Sequence, residues 1–385
     1  MPAIFSLAAL LTSVFLLISG NALVSLVVPL RASLVGFGDL TVGLLGSAYF
    51  FGMLVGALLA PTLVGRVGHI RAFAACMATV AAAVGLLPAI ETPWAWIVSR
   101  AVLGFALAGV YAIIESWING FATNRNRGSL YAVYQIVNFG ASAVGQLLLR
   151  GLDPLTFVPF TIGAALSALS IIPLSMTTAN APQIPAAVRL KLAMFRKLAP
   201  IAVFGAFVAG ACNGAVISLA PIYALRVGND PQAVPLFTSA IVIGSALGVF
   251  PAGRLSDRID RRIVIASVMG VGALLEAALA LYSPTHLVLV LLGFLVGLTT
   301  YTLYTLIASL ANDTAEPRDM VAVSACLLFV YCVAAVLSPT IASEAMLVFG
   351  PQALFWQNGA CHGALALFAL MSLRSGTATV SFRPR

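Results

Sequence analysis

The sequence predicts an all-α integral membrane protein of twelve transmembrane helices, arranged as two six-helix bundles with both termini cytoplasmic. Three observations predict it. The 385-residue chain is 61% hydrophobic and only 8% charged, with a mean hydropathy of +1.06, whereas soluble domains are roughly 45–50% apolar. Apolar runs close to the ~20 residues a helix needs to cross a bilayer recur from end to end. Residues 192 positions apart also repeat, an offset of half the chain.

Apolar runs bounded by charge or by Pro/Gly clusters place helices 1 to 6 near residues 5–30, 41–64, 72–90, 94–121, 129–150 and 156–176. Helices 7 to 12 follow near 200–226, 235–253, 262–282, 286–310, 319–340 and 353–373. The first run lacks a basic n-region and exceeds the length of an h-region, so it reads as a retained helix and not a cleaved signal. The domains expected are an N-terminal bundle (1–176), a polar then basic cytoplasmic linker (177–199), a C-terminal bundle (200–373) and a cytoplasmic tail (374–385). The loops after the even-numbered helices, with the tail, hold 16 of the 20 arginines and lysines, which sets those loops and both termini inside. A multi-pass protein of a bacterial inner membrane is expected.

Composition also excludes. The net charge of +8 sits in short clusters between apolar runs, and no basic domain exists to hold a duplex, so no nucleic-acid partner is expected. Cys76, Cys212, Cys326, Cys332 and Cys361 lie singly in apolar segments, without metal-site or disulfide spacing. His69, His286 and His362 are scattered, no nucleophile and base are grouped, and no Gly-Lys-Ser/Thr loop is present. The chain therefore reads as neither an enzyme nor an ATP-driven pump. No metal and no cofactor are expected; the partners expected are the bilayer, a small solute and protons, and the protein is expected to be a monomer.

The duplication is legible residue by residue. Asn21, Val24 and Pro29 of helix 1 correspond to Asn213, Val216 and Pro221 of helix 7. Ser47, Ala48, Gly52, Gly56 and Ala60 of helix 2 correspond to Ser239, Ala240, Gly244, Gly248 and Ala252 of helix 8. An even helix count between copies gives both halves one topology, related by an axis along the membrane normal. The small residues of helices 2 and 8 recur every four positions and let another helix approach closely. Two uses fit that strip: a static packing seam, or a sliding surface between the bundles.

The densest charge in the chain is Gly253-Arg254-Leu255-Ser256-Asp257-Arg258-Ile259-Asp260-Arg261-Arg262, and a weaker copy begins at Pro61. The decapeptide resembles the loop motif Gly-x-Leu-x-Asp-Arg-x-Gly-Arg-Arg of the major facilitator superfamily of secondary transporters. Gly253, Leu255, Asp257, Arg258, Arg261 and Arg262 match, and Asp260 stands at the second glycine. In the first-half copy Gly65 replaces the aspartate and His69 an arginine, leaving Arg66, Gly68 and Arg71. The resemblance covers the whole chain and implies the fold named above and a cytoplasmic latch that holds one conformation of the access cycle. That latch would rest mainly on Asp257, which could also accept hydrogen bonds from a helix N-terminus. A solvated orienting loop is the other reading.

Helix 4 carries a second match, since Arg100 followed by Gly104 resembles the family's arginine-bearing helix 4 motif, often linked to proton coupling. An intramembrane arginine must face protein or water, or else snorkel to the surface. Arg100, Gly104, Leu107, Tyr111 and Glu115 fall on one helical face. Glu115 lies in Tyr111-Ala112-Ile113-Ile114-Glu115-Ser116-Trp117-Ile118-Asn119, which looks like the same stretch in the YcaD-like branch of the superfamily. A buried Glu115, exchanging a proton as it is alternately hydrated, is the first candidate for coupling, with Arg100; a structural ion pair is the alternative.

Helix 5 presents Tyr131, Gln135, Asn138, Ser142 and Gln146 on one face, a strip that lipid does not tolerate. Asn21 and Asn213 are expected to face the same space. Helix 10 adds Thr299 to Thr302, with Tyr301, and then Tyr304 and Thr305, either as solute contacts or as hydroxyls bonded to their own backbone. Helix 5 lacks the Gly-Pro-x-x-Gly-Gly type of motif of many drug/proton antiporters. Glu276 and His362, on helices 9 and 12, are expected to have local structural roles. The function these residues imply is secondary transport of a small solute by alternating access, coupled to protons, with a site near the midplane between the halves. A non-transporting scaffold or receptor, or an uncoupled facilitator, is the alternative.

Overall fold

The structure, a computed structural model, describes residues 2–123, 126–177, 194–195, 198–228, 230, 232–282, 286–316 and 319–374. The described residues hold no β-strand. Their helices, numbered here by span, are α1 (Pro2–Leu34), α2 (Asp39–Val67), α3 (His69–Leu86), α4 (Pro93–Phe121), α5 (Arg127–Leu148) and α6 (Val158–Leu169, resuming as Ile171–Ser175). There follow α7 (Pro200–Gly228), α8 (Ala233–Ser256), α9 (Arg261–Leu281), α10 (His286–Thr300, resuming as Thr302–Thr314), α11 (Met320–Phe349) and α12 (Ala353–Arg374).

Both interruptions have local causes. Pro173 has no N–H, and its ring opposes the carbonyl four residues back, that of Leu169, where the first segment of α6 stops. In α10 the break falls at Tyr301 inside a run of threonines. The Thr299 hydroxyl donates to the Val296 carbonyl at 2.9 Å and that of Thr302 to the Thr299 carbonyl at 2.5 Å, so side chains compete with the helical ladder.

Eleven of these spans are long and apolar enough to cross a membrane. The exception is α12, whose 22 residues suffice in length but include Gln357, Asn358 and His362. Asn358 and His362 are buried and Gln357 is half-buried, so the helix keeps these polar groups against protein.

Contacts divide the chain into unit 1, residues 1–187, and unit 2, residues 188–385. The expected linker, 177–199, lies mostly outside the described residues; of its described part, Met194 and Leu198 are buried in the core of unit 2. The expected tail beyond Arg374 and Arg125 of the α4–α5 loop also lie outside.

Within unit 1, α2 packs on α4, α1 on α5 and α6, and α3 on α4 and α6. Within unit 2, α8 packs on α10, α7 on α11 and α12, and α9 on α10 and α12. Each pair has its counterpart six helices later. The seams match at atomic detail. A Cβ added at Gly52 would collide with the Ala101 carbonyl, at Gly56 with that of Phe105, and at Gly104 with that of Tyr49. In unit 2 the corresponding collisions are Gly244 with Phe294, Gly248 with Leu298, and Gly297 with Ile241. The α2 strip is thus a static seam against α4 of its own unit at Gly52 and Gly56, the backbone-to-backbone approach that small residues permit.

The helix pairs keep register at two offsets: 192 for α1/α7 and α2/α8, and 193 for α4/α10 and α5/α11. A Cβ at Gly145 would strike the Ser19 carbonyl. At the matching place in unit 2, Ser338 donates its hydroxyl to the Ala211 carbonyl.

Candidate functional site

Polar side chains from α1, α2, α4 and α5 meet in unit 1. Arg100 is buried, with its guanidinium carbon 4.4 Å from the centroid of the Tyr49 ring and Nε donating to the Leu45 carbonyl at 3.4 Å. It faces protein and does not snorkel. Its Nη1 has no hydrogen-bond partner among the described residues. Tyr49 in turn lies within reach of the Asn21 side chain, and Tyr49 and Tyr134 are neighbours of Tyr111.

The string continues along α4 and α5. Asn138 Nδ2 donates to the Tyr134 hydroxyl at 3.4 Å, and the Tyr131 hydroxyl donates to Asn119 Oδ1 at 3.0 Å. Glu115 lies within electrostatic range of both Tyr131 and Tyr134. Contrary to the expectation of a buried acid, Glu115 is exposed on unit 1. The reason is its register: Ile114 and Ser116 take the buried positions beside it, and the carboxylate emerges on the open side of α4. Gln135 is exposed as well, while Asn21, Tyr111, Tyr131 and Asn138 are half-buried.

Unit 2 assembles a smaller polar group. Buried Asn213 donates from Nδ2 to the Tyr331 hydroxyl at 3.3 Å, while its Oδ1 has no partner. The Tyr331 and Tyr304 rings meet edge to face at 5.2 Å, and Tyr301 is close to Tyr331. Of the α10 hydroxyls, those of Thr299 and Thr302 are spent on backbone carbonyls.

The loop motifs differ more. Arg261 is the hub in unit 2: it donates from Nε to Asp313 Oδ2 at 2.5 Å, from Nη1 to the Ser256 hydroxyl at 2.9 Å, and from Nη2 to Asp257 Oδ1 at 3.3 Å. Asp257 is the more exposed of the two acids, its side chain 70% accessible against 41% for Asp313. The acid at the helix N-terminus is Asp260 and not Asp257: Asp260 caps α9, accepting from the Arg262 backbone N–H at 2.9 Å. The Arg262 guanidinium also donates to both Asp260 oxygens and to the Ser372 carbonyl. These bonds hold the Asp260 carboxyl below the usual range.

In unit 1 the equivalent turn passes through Gly68 at φ +84°, a conformation that favours glycine. His69, at the place of Arg261, is buried with Nε2 3.0 Å from the Ser116 hydroxyl. Arg66, Arg71 and Arg258 are exposed, and Gly65 and Gly253 have open space around them.

Glu276 and His362 form a pair: Nδ1 and Oε2 are 2.7 Å apart, and both side chains are 0% exposed. Sequence reasoning singled out each alone and missed the pairing. It also missed Tyr49, Tyr134, Tyr331, Asn119 and Asp313. A signal for some of these existed at the second offset, 193, which aligns Tyr111 with Tyr304 and Asn138 with Tyr331.

A model of the Major Facilitator Superfamily matches residues 10–229 and 202–384. The uncharacterized MFS-type transporter YcaD of Escherichia coli O6:K15:H31 (strain 536 / UPEC) is 28% identical over 354 residues, 90% of each chain. Among solved structures, the nucleoside transporter NupG superposes with a TM-score of 0.79 at 14% identity, over 96% of this chain and 99% of the other. A D-xylose-proton symporter gives 0.72 at 15% identity, over 99% and 100%. These proteins are transporters, not enzymes.

Proposed function

The chain belongs to the Major Facilitator Superfamily, and on that premise we propose that it is a secondary active transporter of a small solute, working by alternating access and coupled to protons. In this reading the twelve helices form two six-helix bundles in a bacterial inner membrane, with both termini cytoplasmic. The observation that carries it is the string from Arg100 through Tyr49, Tyr111 and Tyr134 to Glu115. A packed membrane unit gains nothing in stability from so many polar groups, which are costly at membrane depth unless they serve an ion or a solute.

Glu115 is the proton-carrying group, open to water in the state seen, and Arg100 is the fixed cation at the other end of the α4 face. Asn21, Tyr111, Tyr131, Gln135 and Asn138 of unit 1, with Asn213, Tyr301 and Tyr304 of unit 2, contact the solute. Amides and phenols suit a neutral polyhydroxylated or heterocyclic molecule. Nucleosides and pentoses, the solute classes of NupG and the D-xylose-proton symporter, are the first to test. Gly253, Asp257, Arg258, Arg261 and Arg262, with Arg66, Gly68 and Arg71, act as the cytoplasmic latch. Arg261 is its centre.

The test is a thermal-shift screen of the purified protein against nucleosides, pentoses and other neutral solutes, followed by uptake into proteoliposomes. Stabilisation by a solute in the wild type, absent in Asn138→Ala, supports the reading. Unaltered uptake in both Arg100→Ala and Glu115→Ala would instead favour an uncoupled facilitator.

A further inference from the structure

The Glu276–His362 pair lies outside the α4–α5 string. It joins α9 to α12, beside α7, where Asn358 Nδ2 donates to the Cys212 carbonyl at 3.4 Å. Three polar atoms here have no partner among the described residues: Glu276 Oε1, His362 Nε2 and Asn358 Oδ1. All three residues are 0% exposed. The nearby titratable groups are Cys361 on α12 and Cys212 on α7. The Tyr223 hydroxyl of α7 donates to the Leu279 carbonyl, and α10 faces the pair with the Thr299 side chain near Gly272. None of these is cationic. The guanidinium of Arg261 sits fifteen residues back along α9, roughly 22 Å at 1.5 Å per residue.

Proton inventory decides what the pair holds. With Glu276 ionised and His362 neutral, the 2.7 Å contact requires the single ring proton on Nδ1, which leaves Nε2 an acceptor. All three unpartnered atoms are then acceptors, and a buried negative charge stays uncompensated. One more proton changes both facts. Written as carboxylate with imidazolium, or as a carboxylic acid whose Oε2–H donates to Nδ1 of an imidazole protonated at Nε2, the pair becomes neutral overall and Nε2 becomes a donor.

We propose that Glu276 and His362 form a proton-binding site in unit 2 that carries this one additional proton at neutral pH and releases it reversibly. Release passes the proton to water and leaves a carboxylate beside a neutral imidazole hydrogen-bonded through Nδ1. The site is separate from Glu115 and stands whether or not Glu115 couples transport.

The test is nitrogen-15 NMR of histidine-labelled protein in lipid nanodiscs, on a His69→Asn/His286→Asn variant that leaves His362 as the one histidine. The site predicts a protonated Nε2 at neutral pH and loss of that proton, one per chain, in a single step on alkaline titration. A bare Nε2 with the proton on Nδ1 at neutral pH would overturn the proposal. A protonated Nε2 that persists unchanged until the protein unfolds would do so too, marking a fixed structural hydrogen bond. Should the double variant not fold, the wild-type spectrum gives the same answer by difference against His362→Gln.

Discussion

Units 1 and 2 share a backbone plan and differ in where they keep their charges. The glycine seams correspond position for position, as do Asn21 with Asn213 and Tyr111 with Tyr304. Of the ionisable groups, Arg66 corresponds to Arg258 and Arg125 to Arg318, but those of the Arg100–Glu115 face and of the Arg261 hub have no counterpart. At the places of Arg100 and Glu115, unit 2 has Gly293 and Ala308; at those of Asp257, Arg261 and Asp313, unit 1 has Gly65, His69 and Gly120. Arg261 and its two acids are replaced together in unit 1, as expected when a lone survivor would be a charge without its partner. The comparison teaches that packing repeats as backbone geometry, while chemistry has been divided: an accessible acid in unit 1, a sealed pair and a charged loop in unit 2.

If the seams are the shared part, breaking them should be equally severe in both units. Gly52→Val and Gly244→Val each drive a side chain into a backbone carbonyl and should exceed about 4 kcal/mol, the range of single substitutions that abolish folding. Gly65→Ala, which meets nothing within 4 Å, should stay within about 0.5 kcal/mol. Folded yield on gel filtration and melting temperature report both.

The acids should separate the units next. Glu276→Ala orphans the buried histidine and should lower stability by about 3–5 kcal/mol. Glu115→Ala, on an exposed position, should change it by no more than about 0.5 kcal/mol. Similar melting shifts for the two would erase the distinction between open and sealed acids.

Smaller effects belong to the loop. Asp313→Asn should cost about 0.2–1 kcal/mol at low salt and nearly nothing at high salt, as exposed ion pairs do. Asp257→Asn, at the longer and more exposed contact, should cost less. The reverse order would restore Asp257 as the centre of the latch.

The last prediction concerns pH. The Asp260 carboxyl is depressed in the folded protein by its bonds to Arg262, so its contribution is present above the unfolded carboxylate value, about 3.9. It is lost as pH falls through the lower folded value. Asp260→Asn, which keeps an N-cap side chain but no charge, should flatten that acid-side dependence in a melting series.

The succession of long apolar helices and the duplication were legible because each rests on periodicity and hydropathy, which single residues carry. The partners were not. Arg100 over Tyr49, Arg261 with Asp313, and Glu276 with His362 are contacts between helices far apart in sequence, set by crossing geometry that hydropathy does not encode. The single offset of 192 also hid the kinship of Tyr111 with Tyr304, since one added residue shifts the later helices. The exposure of Glu115 was misread because a carboxylate inside an apolar run looks buried until its neighbours are seen to take the inward positions.

Uptake into proteoliposomes of the solute returned by the stability screen, with and without an imposed pH gradient, in wild type and Glu115→Gln, tests the division of labour most directly. The account predicts gradient-driven accumulation by the wild type and its loss in Glu115→Gln, with stability unchanged. Accumulation that responds to the gradient equally in both proteins, or in neither, would contradict it.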